Sequence, residues 1–129
     1  MTVQQLTEKL NLRIFSGEKG LQKNVSGGYV SDLLSDVMGN GNEGNIWITL
    51  QNHMNVIAIA SLKEMACVIL VKGIIPVSEI IEKAVEEGIP VLGSKENTFE
   101  LSGEIYNLLN WDAEIQGWFT YSFGFISLR

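Results

Sequence analysis

One apolar run limits the fold of this chain more than any other feature. Residues 67–71 read Cys-Val-Ile-Leu-Val and are followed by the polar pair Lys72-Gly73. A continuous apolar run of this length is typical of a strand that is covered on both faces, as in a parallel sheet. Parallel strands are joined by crossover connections, which are usually helices. The run therefore predicts an α/β fold.

The segments on either side supply the other elements that such a sheet needs. Short apolar segments predict strands at 46–50 and 89–92, and apolar residues at helical spacing predict helices at 54–65, 76–87 and 97–109. The resulting βαβαβα series places three strands in one parallel sheet, because such crossovers are right-handed. We therefore predict a three-layer domain with a mainly parallel sheet flanked by helices.

The first 30 residues predict one helix and two short strands. Thr2 and Gln5 have the spacing of a capping box, and the apolar residues that follow recur at helical spacing. Residues 12–15 are too few for a helix and end at a Ser-Gly pair, which favours a strand. A second strand is predicted over 25–29, interrupted by the pair Gly27-Gly28.

A further helix is predicted to begin at Ser31, which is a favourable N-cap residue. Asp32 then lies in the first turn, where the helix dipole favours a carboxylate. A Gly-Asn-Gly-Asn sequence at 39–42 ends this helix. Its predicted apolar stripe consists of Leu33, Leu34, Val37 and Met38.

The composition is that of one acidic domain. The 129 residues include nine basic and fifteen acidic side chains, and the basic ones form no cluster, so we predict no nucleic-acid partner. A single cysteine permits no intrachain disulfide, which favours a reducing cytosol. The N-terminus has no apolar segment of signal-peptide length, and no apolar stretch is long enough to span a bilayer. We therefore expect a cytoplasmic protein with no membrane partner.

Polar segments follow the predicted parallel strands at 49–53, 72–73 and 94–98. In open α/β sheets, ligands bind beyond the carboxyl ends of the strands, and helix N-termini there suit an anion or phosphate. The loop from Gly27-Gly28 into Ser31-Asp32 has a similar character. An alternative is that these residues serve only as turns and caps. The candidate ligand-binding residues are Gly27, Gly28, Ser31, Asp32, Thr49, Gln51, His53, Lys72, Gly73, Ser94 and Thr98.

The residues that most often carry catalysis do not form a recognisable set. His53 is the only histidine, so no histidine-based metal cluster can form, and a hydrogen-bonding role at a helix N-terminus suits it best. Cys67 opens an apolar strand and is expected to be an inert core residue rather than a nucleophile. Asp32 and Asp36 have a spacing that could hold a divalent cation, or they form a solvated helix face. We predict no catalytic residue, metal or cofactor.

An enzyme that uses His53 and Asp32 as an acid and base stays as a minor alternative. The chain contains no Walker loop, no GxGxxG, no GxSxG and no CxxC motif. The usual combinations of nucleophile, general base and metal ligands are therefore missing.

Residues 25–73, together with 86–92 and 97–109, resemble the DRTGG domain family, and the resemblance covers roughly residues 1–110. Its best markers are Gly27-Gly28-Tyr29, the segment 31–37 and Gly88-Ile89-Pro90-Val91. Asn24-Val25-Ser26-Gly27-Gly28 stands where the motif that names the family is expected, so that motif is not intact.

The family is similar to the N-terminal domain of HPr kinase/phosphorylase. It also occurs as a regulatory module in phosphotransacetylases and beside CBS domains in pyrophosphatases. The resemblance implies a non-catalytic, cytoplasmic, prokaryotic module that senses a ligand or assembles, often as a dimer, and this length is similar to that of stand-alone members. Our leading hypothesis is a module that binds a small phosphorylated metabolite or nucleotide. The alternative is an interaction module that docks on a metabolic enzyme, motivated by Trp47 and the aromatic C-terminus.

The C-terminal segment 111–129 differs from the predicted domain at 1–110. Four of its aromatic residues alternate with small residues, which predicts a β-strand over about 118–126. Such a strand should pack against the sheet edge or add to a partner's sheet, and we expect a homodimer. A poorly ordered tail or a cloning-derived extension is the alternative. Six of the eleven aromatic residues lie in this segment, namely Trp111, Trp118, Phe119, Tyr121, Phe123 and Phe125.

Overall fold

The computed structural model describes residues 1–121 and, among these, the side chains of residues 1–110. The strands are β1 (Arg13–Ser16), β2 (Gly27–Val30), β3 (Asn45–Thr49), β4 (Cys67–Leu70) and β5 (Val91–Gly93). The helices are α1 (Val3–Leu10), α2 (Leu34–Asn40), α3 (Asn55–Leu62), α4 (Ser78–Glu87) and α5 (Thr98–Tyr121). A short 3-10 helix spans Glu18–Gly20.

The five strands form one sheet in the order β1-β5-β4-β3-β2. Strands β2 to β5 are parallel, and β1 runs antiparallel to β5 at one edge, with a shift in register between Ile14 and Ser16. The predicted α/β class and the mainly parallel sheet are confirmed. The predicted series from 46 onward contributes its three strands as neighbours.

The sheet is covered on both faces because its central strands alternate apolar side chains between two cores. On one face α1 and α5 pack on a core that includes Ile46, Ile48 and Ile69. On the other face α2, α3 and α4 pack on a core that includes Trp47 and Leu70. All four residues of β4 are buried, as the continuous apolar run requires.

Two helix boundaries lie where the sequence predicted them, namely the start of α1 and the end of α4. Thr2 Oγ1 accepts a hydrogen bond from the N–H of Gln5, and the Gln5 side chain accepts one from the N–H of Thr2. This reciprocal capping box begins α1 as predicted. Gly88 ends α4 in the left-handed conformation, with φ of 66°, which glycine adopts without strain.

The helix that was predicted with Ser31 as its N-cap residue begins two residues later than expected. Leu33 is the N-cap residue of α2, and no side chain caps this helix. Ser31 instead accepts a hydrogen bond from the N–H of Leu33, and Asp32 bonds to the segment after β3. The predicted apolar stripe is also only partly correct, because Leu33 is 63% and Met38 is 40% exposed.

The predicted strand over 118–126 is wrong for its first four residues, where α5 continues to Tyr121. Residues 98–121 contain no proline, and α5 continues through Gly117. Positions 122–126 of that prediction lie outside the described residues. Among the described residues, no helix is long and apolar enough to cross a membrane.

Candidate functional site

The parallel strands β2 to β5 bring four chain segments to one edge of the sheet, where each strand reaches its carboxyl end. This is the edge at which open α/β sheets bind ligands. The segments that follow β2 and β3 lie at one end of this edge. Those that follow β4 and β5 lie at the other, beside β1. The two ends differ in how their polar groups are used.

At the β2–β3 end, Asp32 holds the neighbouring segments together. Its Oδ1 accepts hydrogen bonds from Thr49 Oγ1 at 2.9 Å and from the N–H of Leu50 at 2.7 Å. The Gln51 amide donates to the Asp32 carbonyl at 2.8 Å. The structure therefore brings three predicted residues together, but their polar groups bind one another. A carboxylate at the centre of this cluster also disfavours an anionic ligand.

The rest of the β2–β3 end is joined in the same way. Trp47 Nε1 donates to the Ser31 carbonyl at 2.8 Å, and Tyr29 Oη donates to Asp36 at 2.8 Å. The hydroxyl groups of Ser31 and Tyr29 lower the pKa of the Asp36 carboxyl. Asp32 precedes α2 and is hydrogen-bonded to the segment after β3, so the helix face predicted to carry both Asp32 and Asp36 does not form.

His53 and its neighbour Asn52 position two helices. His53 is exposed and its Nδ1 accepts a hydrogen bond from the N–H of Asn55, at the beginning of α3. The Asn52 side chain donates to the Ile75 carbonyl and accepts from the N–H of Val77, which fixes the segment that leads into α4. These contacts agree with the hydrogen-bonding role expected for His53.

At the other end, backbone hydrogen bonds join the segments after β4 and β5. The N–H of Lys72 donates to the Glu96 carbonyl, and the N–H of Gly73 donates to the Ser94 carbonyl, both at 2.9 Å. Lys72 and Gly73 are both in the left-handed conformation, with φ of 59° and 70°. Gly73 and the two residues that follow it line an opening beside β1.

We name this opening the β1 groove. It has a volume of about 330 Å³, within the range of small-molecule sites, and both polar and apolar groups line it. Of the predicted residues, Gly73 and Ser94 line it. Its lining residues are Leu10, Asn11, Arg13, Phe15, Gly73, Ile74, Ile75, Gly93, Ser94, Lys95 and Glu96.

Arg13 and Phe15 form the distinctive feature of the β1 groove. The Arg13 guanidinium carbon lies 4.5 Å from the centre of the Phe15 ring, a cation–π distance. Phe15 can lie there because the strand beside it has a glycine at position 93. A Cβ added to Gly93 would lie 2.4 Å from Phe15 Cε2. The groove thus combines a flat, cationic surface with the apolar side chains of Ile74 and Ile75.

The charges in the β1 groove are of both signs. Arg13 and Lys95 are cationic, and Glu96 is the acidic residue of the lining. A hydrogen bond with Glu104 of α5 raises the pKa of Glu96, and burial and the negative charge of Glu104 act in the same direction. The Glu96 carboxyl therefore retains its proton to a higher pH than an isolated glutamate.

The remaining predicted residues lie elsewhere. Gly27 and Gly28 are the first residues of β2, where they pair with Asn45 and Ile46. They therefore lie near the amino ends of the parallel strands, away from the carboxyl ends. Thr98 is the first residue of α5 and does not line the β1 groove. The structure thus does not form the single cleft that the four predicted segments were expected to line.

Reasoning from sequence missed Arg13, Phe15 and Lys95. Arg13 and Phe15 belong to β1, and their place depends on its antiparallel pairing with β5, which has no local signature. An arginine two residues before a phenylalanine in a strand places both side chains on one face, which was the one signal available.

Cys67 is a core residue, as predicted. It is buried, and desolvation raises the pKa of its thiol to about 12, although the nearby charge of Lys23 opposes this shift. A thiol with this pKa is a poor nucleophile at neutral pH. Within residues 1–110, no three side chains of His, Cys, Asp or Glu lie close enough together to hold a metal ion.

This chain is similar to known proteins in sequence and in fold. A family model for the DRTGG domain matches residues 5–108. Six chains of solved structures match. One is a crystal structure of the CBS and DRTGG domains of the regulatory region of Clostridium perfringens pyrophosphatase, complexed with its activator diadenosine tetraphosphate.

That structure has a TM-score of 0.64 and is 18% identical to this chain, so the likeness concerns the fold. The match covers 81% of this chain and 45% of that one, so this chain spans less than half the length of the solved regulatory region. No curated protein matches this chain.

Proposed function

This chain belongs to the DRTGG domain family, and we propose that it is a regulatory module that binds a nucleotide or a similar anionic metabolite in the β1 groove. The observation that supports the proposal is the position of Arg13 over Phe15 in a groove of about 330 Å³ at the carboxyl edge of the sheet. The solved relative was crystallised with a nucleotide activator, which favours the same class of ligand.

The residues of the groove match the two parts of a nucleotide. An aromatic base can stack on the Arg13 guanidinium or the Phe15 ring and contact the side chains of Ile74 and Ile75. The phosphates can bind Arg13, because a guanidinium donates two parallel hydrogen bonds to such oxygens. Lys95 supplies a second positive charge. A phosphorylated metabolite without an aromatic ring would bind only through the positive charges of Arg13 and Lys95.

We propose that the role is regulatory rather than catalytic. The lining of the β1 groove contains no histidine or cysteine, and its one carboxyl belongs to Glu96. His53 belongs to the start of α3 and is not part of the lining. A module of this kind acts by a difference in ligand affinity between two states of the assembly that contains it.

Calorimetric titration of the full chain with AMP, ADP, ATP and diadenosine tetraphosphate tests the proposal, with acetyl phosphate as the ligand that lacks a ring. We expect nucleotides to bind and to raise the thermal midpoint, since a ligand at 100 times its Kd adds about 2.7 kcal/mol to the free energy of unfolding. No stabilisation by any of these compounds at millimolar concentration would overturn the proposal.

Two variants locate the site. Arg13→Gln should weaken nucleotide binding by about tenfold or more, because it removes a charge-assisted hydrogen bond and the stacked guanidinium. Lys19→Gln is the matched control, because Lys19 is exposed on the 3-10 helix and does not line the groove. Equal affinities of the two variants would show that the ligand binds elsewhere.

A further inference from the structure

Asn11 lines the β1 groove together with Arg13 and Phe15. It is the C-cap residue of α1 and is in the left-handed conformation, with φ of 51°. Its backbone N–H donates to the Thr7 carbonyl and so completes the end of the helix. The side chain is exposed, and among the residues whose side chains are described none is hydrogen-bonded to its amide group. The amide is therefore free to bond to a ligand in the groove.

Alternation along the chain explains why these three side chains share one surface. Leu12 and Ile14, which lie between them, pack on the core at one face of the sheet. Successive side chains of a strand point to opposite sides, so Arg13 and Phe15 lie on the side away from that core. The free amide of Asn11 thus belongs to the same wall of the groove as the guanidinium that lies over the Phe15 ring.

The other neutral polar side chain of the lining is already bonded. Ser94 Oγ accepts a hydrogen bond from the N–H of Glu96 at 3.1 Å. The Ser94 and Glu96 carbonyls accept from the N–H groups of Gly73 and Lys72. Within the lining, Asn11 is therefore the neutral side chain that offers a free donor and a free acceptor side by side.

This pair of groups matches one purine base better than the other. The edge of adenine that carries N7 also carries the N6 amine, so it presents one acceptor and one donor, and asparagine is a usual partner of that edge. Guanine presents two acceptors, O6 and N7, at the same edge, and these suit arginine or lysine. A guanine at this position would leave the Asn11 carbonyl oxygen facing O6 without a donor between them.

We propose, on the basis of the function proposed above, that Asn11 selects the base and makes the β1 groove specific for adenine nucleotides. The base stacks on the Arg13 guanidinium or the Phe15 ring. The Asn11 carbonyl oxygen accepts a hydrogen bond from the N6 amine, and the Asn11 amide nitrogen donates one to N7. Asn11 therefore decides which base binds, while Arg13 binds the phosphates.

Two nucleotide analogues test the contact with the base edge. Inosine triphosphate has the ring system and phosphates of ATP, but it carries an oxygen in place of the N6 amine. In calorimetric titrations of the full chain, the Kd of ATP should be roughly tenfold or more below that of inosine triphosphate. The analogue 7-deaza-ATP has a carbon in place of N7 and should bind roughly fivefold more weakly than ATP, because it loses one hydrogen bond.

Asn11→Gly tests the residue. Glycine adopts the left-handed conformation without strain, so the end of α1 is kept and only the amide is lost. This variant should bind ATP, 7-deaza-ATP and inosine triphosphate with similar affinities, close to that of inosine triphosphate for the unmodified chain. Asn42→Gly is the matched control, because Asn42 is exposed and does not line the groove, and it should keep the preference for ATP.

The failure of base selection is distinguishable from the failure of the proposed function. If none of the three nucleotides binds, the proposed function fails, and the selectivity fails with it. If ATP and inosine triphosphate bind with equal affinity, or if Asn11→Gly keeps the preference for ATP, a nucleotide binds but Asn11 does not select its base. Tighter binding of GTP than of ATP would also overturn the selectivity and would favour Lys95 as the residue that contacts the base.

Discussion

The two ends of the sheet's carboxyl edge use similar polar residues in opposite ways. At the β2–β3 end, Asp32, Thr49 and Gln51 are hydrogen-bonded to one another. At the β1–β5 end, the backbone alone joins the segments after β4 and β5, and side chains such as Arg13 and Lys95 line an open groove. A place beyond the strand ends is therefore not enough to identify a ligand site. What matters is whether its polar groups already have partners.

The largest effect should come from Asp32→Ala, which breaks the cluster at the β2–β3 end. The buried Thr49 hydroxyl and the N–H of Leu50 would lose their acceptor, so the free energy of unfolding should fall by about 2–3 kcal/mol. Urea denaturation measures the change, and Asp32→Asn, which keeps one acceptor oxygen, should lose less. Nucleotide affinity should not change. A loss of binding with stability intact would mean that Asp32 contacts the ligand.

At the β1–β5 end, Gly93→Ala should narrow the groove. The added methyl group would lie 2.4 Å from Phe15 Cε2, so the Phe15 ring must move, at a cost of about 1–3 kcal/mol. Nucleotide binding should weaken because the ring no longer supports the Arg13 guanidinium. In the control Gly39→Ala, nothing lies near the new Cβ, and helix α2 should gain about 0.5–1 kcal/mol. Unchanged binding in Gly93→Ala would remove Phe15 from the site.

Ser102→Ala should change the free energy of unfolding less than Asp32→Ala or Gly93→Ala, and it should raise this free energy instead of lowering it. Removing a buried hydroxyl without a partner should raise the free energy of unfolding by about 1 kcal/mol in dilute, monomeric samples. Urea denaturation of the two chains measures the change. An unchanged or lower free energy of unfolding would show that the hydroxyl has a partner in the folded chain.

The smallest effects should be the pH dependences, which differ in sign between the two ends. The pKa of Asp36 is lowered in the folded chain, so its contribution to stability is present above its ordinary pKa of 3.8 and is lost as the pH falls below it. The pKa of Glu96 is raised, mainly by its hydrogen bond with Glu104. Its contribution is therefore present below the ordinary pKa of 4.5 and is lost as the pH rises.

Urea denaturation between pH 3 and 7 checks both directions. Asp36→Asn should reduce the loss of stability on the acid side, and Glu96→Gln should reduce the loss above pH 4.5. Glu96→Gln should also strengthen nucleotide binding at neutral pH, because one negative charge leaves the β1 groove. If both substitutions changed the pH dependence of the free energy of unfolding in the same direction, the two ends of the sheet would not differ in sign as we predict.

The sequence predicted the fold where structure depends on local pattern. The apolar run at 67–71, the capping box at Thr2 and the glycine at position 88 each act within one element, and each lies where it was predicted. The start of α2 was missed because Asp32 bonds to residues 17 and 18 positions further along the chain. A long-range contact of this kind replaces the local cap that the sequence favours.

Only part of the candidate site could be predicted, because some of its residues follow from local pattern and others from the pairing of distant strands. The strand ends identified Gly73 and Ser94, which line the β1 groove. Arg13 and Phe15 could not be assigned to it, because their position follows from the place of β1 in the sheet order. A strand was predicted over 25–29, but Gly27-Gly28 was expected to interrupt it and to belong to a ligand loop. The pair instead begins β2, because an edge strand tolerates glycines there.

The irregular pairing of β1 has a consequence for how large an assembly of this chain can become. The shift in register between Ile14 and Ser16 and the exposed charge of Arg13 make this edge a poor template for another strand. Among the described strands, only β2 presents an edge regular enough to pair with another strand. A sheet with a single regular edge cannot be extended in both directions. A chain with two open edges would instead polymerise into fibres.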